Sequence, residues 1–431
     1  MKAAAAAILL ASLVLAGCAD PSVPDPEPVS DPSCAVDETA CNGPVPHVVV
    51  ADIDSGINVY HERFRAERPL DPAFLASLVD SRTGRPPVWV NLTWEGTYEE
   101  RFEADRDVWS RLERGVLYYF AGTRVLGIGF DARTQNVILD GPDGSHGTAT
   151  AGAVFDHNPE AVLVMVEGVG DPQAEAWVAE QPWIDIVTMS YGPPGSVPGS
   201  GTAMGLQTHM ATKQMWRAGM VPVGAADNTP ALAPNDETAG PPWVLGVAGD
   251  HPETSCREHL SGTLPDYTAD FTQELPTADS VDGRRRTSGT SFSTPTVAGV
   301  ASKVLLEVRK AWDHTGTGAV EVQQDDARTY RVLAHQSERT GPGMGLVRNV
   351  DLREALNRTA SYFGFGECQG TGVNPAAPWL QQGWGHVGPE TVNATVAHLL
   401  GIEEAPRKPE TARTFMEANM AYRRQLWGFL P

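Results

Sequence analysis

Residues 47–56 read His47-Val-Val-Val-Ala-Asp-Ile-Asp54-Ser55-Gly56, an apolar run that leads into a carboxylate, a hydroxyl and a glycine. The run over 47–51 lacks the polar–apolar alternation of a strand that faces water on one side. Near-continuous apolar residues over this length are typical of a strand buried on both faces. The stretch therefore predicts a central strand with Asp54-Ser55-Gly56 at its carboxyl end.

Further apolar runs predict more buried strands, at 161–166, 184–189, 220–224 and 243–248. Between two of these runs, residues 207–217 predict a helix that is closed by Gly219. Strands that alternate with helices are typical of an α/β fold with a parallel sheet and helices on both faces.

Two more motifs follow the first in chain order. They are His146-Gly-Thr-Ala-Thr-Ala-Gly152 and Gly289-Thr-Ser291-Phe-Ser-Thr-Pro-Thr-Val-Ala-Gly299. A serine hydroxyl becomes a nucleophile when an imidazole takes its proton, and the imidazole needs a buried carboxylate to orient it. Loop ends at the carboxyl edge of a parallel sheet can converge, so Asp54, His146 and Ser291 are the candidate catalytic residues.

The small residues around His146 and Ser291 predict that each motif opens a helix packed closely against the sheet. Ala298 and Gly299 leave room for that approach, and Pro295 is tolerated in a first helical turn.

In this order, the three motifs resemble those of the subtilisin-like serine proteases, the subtilases. The resemblance implies a three-layer α/β fold, serine endopeptidase activity through an acyl-enzyme, and protein or peptide substrates. It also implies that Asn228 donates its amide to the oxyanion together with the Ser291 N–H. Ser190, Tyr191 and Gly192 match the family's extended segment, which pairs with the substrate backbone.

The resemblance covers about residues 46–400, with gaps, and residues 382–400 resemble the family's closing element. No cofactor is required for the implied chemistry. The family's calcium sites fall on no matching residues, so structural calcium is left unassigned. No metal ligands are predicted, since no Cys-x-x-Cys or Cys/His spacing indicates zinc.

The chain also departs from the family pattern. The first two motifs lie 146 − 54 = 92 positions apart, so residues 58–140 are interpreted as an insertion without chemistry in a catalytic domain over 47–400. Within it we expect a helix over 98–114 and a strand over 123–130. The tail over 401–431 is amphipathic and is expected to pack on the domain or to contact a partner.

Asp227 stands where the family usually has glycine, beside the oxyanion residue. Two orientations stay open. The carboxylate either points to solvent or a nearby N–H, or enters the specificity pocket and favours Arg or Lys before the cut.

The amino terminus predicts export and lipid anchoring. Residues 1–17 combine a basic start with an apolar stretch too short to span a bilayer, and Leu15-Ala-Gly-Cys18 resembles the lipobox of bacterial lipoproteins. We expect the lipid on Cys18 to hold the protein at an outward-facing membrane surface, the outer membrane in a two-membraned bacterium. The alternative is an ordinary secretory signal. Residues 18–46, rich in Pro and Asp, are expected to form an extended tether.

The remaining cysteines are even in number, which favours disulfides in an oxidising compartment. Cys34–Cys41 would close a local loop and Cys256–Cys368 would follow by elimination, with free buried thiols as the alternative. The formal net charge of −22 argues against a nucleic-acid partner, which calls for clustered basic residues.

Three other functions are alternatives to the protease. An α/β-hydrolase esterase needs a nucleophile in the motif Gly-x-Ser-x-Gly. Around Ser291 the final glycine is replaced by Ser293, and around Ser190 the first glycine is replaced by Thr188. A sedolisin-type carboxyl peptidase would carry Glu where His146 stands. A non-catalytic, subtilase-shaped surface binding protein is the alternative from a different functional class.

Overall fold

A computed structural model describes residues 45–67, 69–132, 137–141, 145–192, 203–226, 228, 238–250, 265–323, 328–336, 345–362, 382–405 and 407–428. All of them belong to one compact unit, Pro44–Pro431. The predictions for the signal peptide, the tether before residue 45, the lipidated Cys18, the four remaining cysteines (Cys34, Cys41, Cys256 and Cys368) and Asp227 lie outside the described residues.

The centre of the fold is a nine-stranded sheet in the order β2-β3-β4-β5-β1-β6-β7-β8-β9. Neighbouring strands run parallel, apart from the antiparallel pair β3–β4. The strands are β1 Val49–Asp54, β2 Val88–Val90, β3 Tyr118–Phe120, β4 Val125–Gly129, β5 Val162–Glu167, β6 Ile186–Met189, β7 Val221–Ala225, β8 Leu245–Asp250 and β9 Tyr267–Asp270. Each predicted run forms a strand within about three residues of its expected bounds.

Strand β1 is buried on both faces, as its apolar run predicts. Val48 and Val50 contribute to one core, and Val49 and Ile53 contribute to the other. Successive side chains of a strand alternate between the two faces of its sheet, so an uninterrupted apolar run fills both cores.

Helices cover both faces of the sheet and complete three layers. Helices α4 and α7 pack in the first core, whereas α5 and α6 pack in the second. The fold class, α/β with a mostly parallel sheet between helical layers, is confirmed. The described helices are α1 Pro72–Ser77, α2 Tyr98–Ala104, α3 Arg106–Trp109, α4 His146–His157, α5 Pro172–Glu180, α6 Ala203–Arg217, α7 Thr290–Ala311, α8 Asn349–Thr359, α9 Thr391–Leu399 and α10 Glu410–Trp427.

In the described ranges, three two-stranded hairpins lie outside the main sheet. They pair β10 Thr272–Pro276 with β11 Arg284–Ser288, β12 Val320–Gln323 with β13 Thr329–Val332, and β14 Ala334–His335 with β15 Leu346–Val347. The hairpin of β10 and β11 leads directly into α7.

Residues 58–140 contribute strands to the edge of the main sheet, because β2, β3 and β4 all come from this segment. The helix expected over 98–114 is two short helices, α2 and α3, separated by Asp105, which is the C-cap residue of α2 and the N-cap residue of α3. Asp140, the last residue of the segment, contacts the candidate site described below, so the expectation that this segment carries no chemistry has to be corrected.

The carboxyl-terminal helix α10 packs on the domain. Trp427 is 2% exposed, and the buried guanidinium of Arg423 pairs with Asp266 at 3.0 Å. Arg353 pairs with the same carboxylate at 2.7 Å. A buried carboxylate needs such partners, so Asp266 joins the tail to the sheet. Within the described part of the chain, no helix has both the length and the apolar character needed to cross a membrane.

Candidate active site

Asp54 and His146 form a hydrogen-bonded pair at the carboxyl edge of the sheet. Nδ1 of His146 lies 2.8 Å from Oδ1 and 3.0 Å from Oδ2 of Asp54. The Asp54 side chain is 1% exposed and the His146 side chain is 37% exposed. The sheet therefore buries the carboxylate and leaves part of the imidazole accessible.

The first turn of α4 approaches β1 so closely that it requires glycine. A Cβ at Gly147 would lie 2.2 Å from the carbonyl oxygen of Gly56. The N–H of Gly147 donates to the hydroxyl of Ser55 at 3.0 Å. The His-Gly and Asp-Ser-Gly motifs thus meet through their small residues.

A second buried carboxylate, Asp140, holds the start of α4. Its Oδ2 accepts hydrogen bonds from the N–H and the hydroxyl of Thr148, at 3.0 and 2.8 Å. Its Oδ1 accepts from the Ser55 hydroxyl at 3.1 Å. Asp140 thus satisfies an N–H of the first helical turn, which has no partner inside the helix. Burial raises the pKa of Asp140 to about 6, although the Thr148 hydrogen bonds oppose the shift.

Asp52 lies two residues before Asp54 on β1 and is fully buried. Its Oδ2 accepts from the Thr150 hydroxyl at 2.8 Å. Burial first, and the charge of Asp54 second, raise the pKa of Asp52 well above its ordinary value. Burial therefore favours the neutral form of the Asp52 carboxyl.

These carboxylates stabilise the protonated form of His146. Burial by itself would lower the pKa of the imidazole, but the charge and hydrogen bond of Asp54 outweigh burial, and Asp52 and then Asp140 add to them. The pKa of His146 rises to about 9. The site therefore favours an imidazolium, the species that a general base becomes when it accepts a proton.

Ser291 is the second residue of α7 and exchanges two hydrogen bonds with Ser190. Its hydroxyl donates to the Ser190 carbonyl at 3.3 Å, and the Ser190 hydroxyl donates to the Ser291 carbonyl at 2.8 Å. The ring of the next residue, Phe292, lies 5.5 Å from the imidazole of His146. The start of α7 therefore lies against His146 on one side and the end of β6 on the other.

Pro295 explains why the Ser291 carbonyl accepts from a side chain. Because proline has no N–H, it cannot bond the carbonyl four residues earlier in the helix, which is that of Ser291. The Ser190 hydroxyl supplies the missing donor. Pro295 is the sixth residue of α7, so the prediction that it lies in the first turn is wrong.

Gly299 allows α7 to pack against α4. A Cβ at this position would lie 2.8 Å from the carbonyl oxygen of Val154. We expected Ala298 and Gly299 to make room against the sheet. For Gly299 the close contact is instead with the neighbouring helix.

Asn228 is oriented by the residue that precedes Ser291. Its Oδ1 accepts from the N–H of Thr290 at 2.8 Å. The Thr290 hydroxyl lies 3.0 Å from the same oxygen and donates to the nearer carbonyl of Ala226 at 2.5 Å. With the amide oxygen held in this way, the NH₂ group of Asn228 is directed away from Thr290. Asn228 is exposed, so its NH₂ group can reach a ligand.

The segment expected to contact substrate backbone follows β6. The Tyr191 hydroxyl donates to Oε1 of Glu175 at 2.9 Å, and the Tyr191 carbonyl accepts from Thr238 at 2.6 Å. Gly192 has φ of 151°, which favours glycine. Because the Tyr191 side chain is bonded to α5, its main chain is the part that can contact a ligand.

A cavity of about 150 Å³ lies beside His146. Its lining comes from the first turns of α4 and α7 and from both strands of the β10–β11 hairpin: Ser145, His146, Ala149, Leu275, Pro276, Thr277, Arg285, Thr287 and Phe292. This volume suits one side chain rather than a cofactor.

The sequence reasoning missed Asp52 and Asp140. For Asp52 a signal was present, because a carboxylate inside an otherwise apolar central strand has to be explained by function or pairing. For Asp140 the sequence contains no such signal. Only the folded chain brings this residue, at the end of a long segment, close to the helix that begins at His146.

No family model matches this sequence, and no curated protein does. Many solved structures match this chain in fold, and three of them are as follows. The prenylagaramide maturation protease PagA has 15% identity and a TM-score of 0.46, over 82% of this chain and 94% of that chain. A cold-adapted subtilisin-like serine proteinase has 20% identity and a TM-score of 0.45, over 77% and 87%. A lanthipeptide protease has 14% identity and a TM-score of 0.44, over 81% and 88%. We base the functional proposal on the residues of the site and their geometry.

Proposed function

We propose that the protein is a subtilisin-like serine endopeptidase in which Ser291 is the nucleophile, His146 the general base and Asp54 the residue that orients the imidazole. The observation that carries the proposal is the double hydrogen bond from Nδ1 of His146 to the buried Asp54, at the same sheet edge where Ser291 opens α7. An imidazole held through Nδ1 has Nε2 available for proton transfer.

The proposed reaction follows from these roles. Oγ of Ser291 attacks the peptide carbonyl carbon, and its proton passes to Nε2 of His146 while Asp54 stabilises the imidazolium. The Ser291 N–H and the Asn228 amide donate to the developing oxyanion. His146 then gives the proton to the leaving amine as the C–N bond breaks. Water, activated by the same imidazole, hydrolyses the acyl-enzyme.

One hydrogen bond has to be exchanged before this reaction begins. The Ser291 hydroxyl donates to the Ser190 carbonyl, and it has to turn to Nε2 of His146 to lose its proton. Catalytic hydrogen bonds often tighten only when substrate is bound. We infer that substrate pairing along 190–192 displaces the hydroxyl from the Ser190 carbonyl.

Export and anchoring belong to the same proposal. A lipid on Cys18 and the tether behind it would hold the enzyme at an outward-facing membrane surface. Cys18→Ser is expected to move the protein into the detergent-free soluble fraction; a variant that stays in the membrane would contradict the anchor. Non-reducing peptide mapping tests the Cys34–Cys41 and Cys256–Cys368 pairs.

Hydrolysis of a protein substrate such as casein by the detergent-solubilised full chain tests the proposed activity. Wild type is expected to release peptides, and Ser291→Ala is expected to lose several orders of magnitude in turnover. Ser288→Ala is the control, because this exposed hydroxyl lies on β11 and bonds to Thr272. Equal hydrolysis by the Ser291 variant would rule out the assignment.

A further inference from the structure

The cavity beside His146 lies on one side of the proposed reaction centre. Its lining includes His146 and Phe292. Asn228 and the residues 190–192, which we assign to the oxyanion and the acyl half of the substrate, are absent from the described lining. His146 delivers its proton to the leaving amine. The cavity is therefore placed to receive a side chain that follows the scissile bond.

The walls of the cavity differ in chemistry. Ala149, Leu275 and Phe292 form an apolar cluster on one side. The other lining residues include Thr277 and Thr287, which carry hydroxyl groups, and Arg285, which carries a guanidinium. An apolar wall beside a cation suits a side chain with an aliphatic stem and an anionic end.

Arg285 is the middle residue of Arg284-Arg285-Arg286, the longest run of basic residues in a chain of net charge −22. Its neighbours have other contacts. Arg284 pairs with Asp156 at 2.7 Å, and Arg286 is opposite Glu274 in the hairpin register, whereas Arg285 is opposite the apolar Leu275. Because side chains alternate along a strand, Arg285 and Thr287 share the cavity face and Arg286 lies on the other.

We propose that this cavity is a leaving-group-side subsite in which Arg285 selects an acidic side chain, glutamate in preference to aspartate. The inference rests on the proposed function. It assigns the specificity to one of the first two residues after the cut. The longer stem of glutamate lets its carboxylate reach the guanidinium while its methylenes contact Leu275 and Phe292.

Screening by solvent limits the preference for glutamate. Arg285 is exposed, so the pair is screened and weaker than a buried one. A charge-assisted contact at this exposed position is expected to give a roughly 2- to 5-fold preference for glutamate over alanine. The preference is also expected to fall as salt rises, because about 1 M salt shortens the screening length to roughly 3 Å.

Mass-spectrometric mapping of cleavage sites in a complex peptide mixture tests the subsite. Wild type, Arg285→Ala, Arg285→Glu and Arg286→Ala are compared at low and high salt. Arg286→Ala is the matched control, with the same charge removed from the same strand on its opposite face. Wild type and Arg286→Ala are expected to enrich glutamate after the cut. Arg285→Ala is expected to lose the enrichment and Arg285→Glu to favour lysine and arginine.

Two outcomes would overturn the inference, and only one of them would also overturn the proposed function. If all four proteins cleave with the same residue frequencies after the cut, the subsite is wrong and the protease proposal stands. If wild type releases no peptides beyond those of Ser291→Ala, the proposed function and the subsite both fail.

Discussion

The two sides of the proposed catalytic cleft are built differently. On the imidazole side, two hydrogen bonds join His146 to Asp54, and Asp140 ties the first turn of α4 to the same buried layer. On the hydroxyl side, Ser291 donates to a main-chain carbonyl of Ser190. In the proposed mechanism, buried carboxylates preorganise the base, whereas the nucleophile has to change its hydrogen-bond partner when substrate arrives.

Asp54→Asn is expected to have the largest effect, because it removes the charge that orients and stabilises the imidazolium. Loss of this carboxylate in a Ser-His-Asp triad costs about 10⁴-fold in kcat. Turnover of a peptide substrate at constant pH measures it. Asp52→Asn is the matched control, since burial favours the neutral form of that carboxyl, and it is expected to stay within about tenfold of wild type. Equal losses of turnover in Asp54→Asn and Asp52→Asn would contradict the separate role assigned to Asp54.

Asn228→Ala is expected to lower kcat by about 10²- to 10³-fold with little change in KM, because the oxyanion donor acts in the transition state. Asn228→Asp keeps the oxygen that accepts from Thr290 but lacks the amide donor. It should therefore fold like wild type and still lose turnover. Full activity in the Asp variant would show that Asn228 serves only to hold Thr290.

The pH profile sharpens the comparison on the imidazole side. His146 acts as a base only when neutral, and its pKa is raised to about 9. We therefore expect kcat/KM to rise with pH, about tenfold per unit well below the pKa, and to level off near pH 9. Asp140→Asn removes one of the negative charges that raise this pKa, so its acid limb should move to lower pH. A limb that stays in place would show that Asp140 acts on α4 and not on the imidazole.

A double-mutant cycle addresses the hydroxyl side, where the smallest effect is expected. Ser190→Ala removes the donor to the Ser291 carbonyl, at a cost of about 1–3 kcal/mol in the free energy of unfolding. In a Pro295→Ala background the helix supplies an N–H to that carbonyl, so the same substitution should cost less. Denaturant unfolding of the four proteins measures the coupling. If Ser190→Ala lowered the free energy of unfolding equally in both backgrounds, the Ser190 hydrogen bond would not compensate for Pro295.

The sequence predicts the central sheet of this fold well, because the strands of that sheet are buried on both faces. The apolar run over 47–51 and its counterparts predict the parallel sheet, and the motifs at the carboxyl ends of β1 and at the starts of α4 and α7 predict which side chains share an edge. Local pattern and chemistry agree at these places, so few alternatives remain.

Contacts between distant segments could not be predicted in the same way. Asp140 contacts Thr148 and Ser55 because the end of the long segment 58–140 lies beside the carboxyl end of β1. No periodic pattern in the sequence predicts that position. The exchange of hydrogen bonds between Ser190 and Ser291 depends on the register of β6 and α7. Arg285 lines the cavity beside His146 because of the pairing in its hairpin. Each of these contacts is tertiary and has no local signature.

Labelling by a fluorophosphonate probe tests the central claim most directly, because the reagent phosphonylates a serine whose hydroxyl is activated by a base. Intact full-length protein is treated with the probe, and the modified peptide is mapped by mass spectrometry. We predict a single adduct on Ser291 that is absent in His146→Ala and unchanged in Ser288→Ala. An unlabelled wild-type protein, or an adduct that persists when His146 is removed, would contradict the assignment of Ser291 and His146 as nucleophile and base.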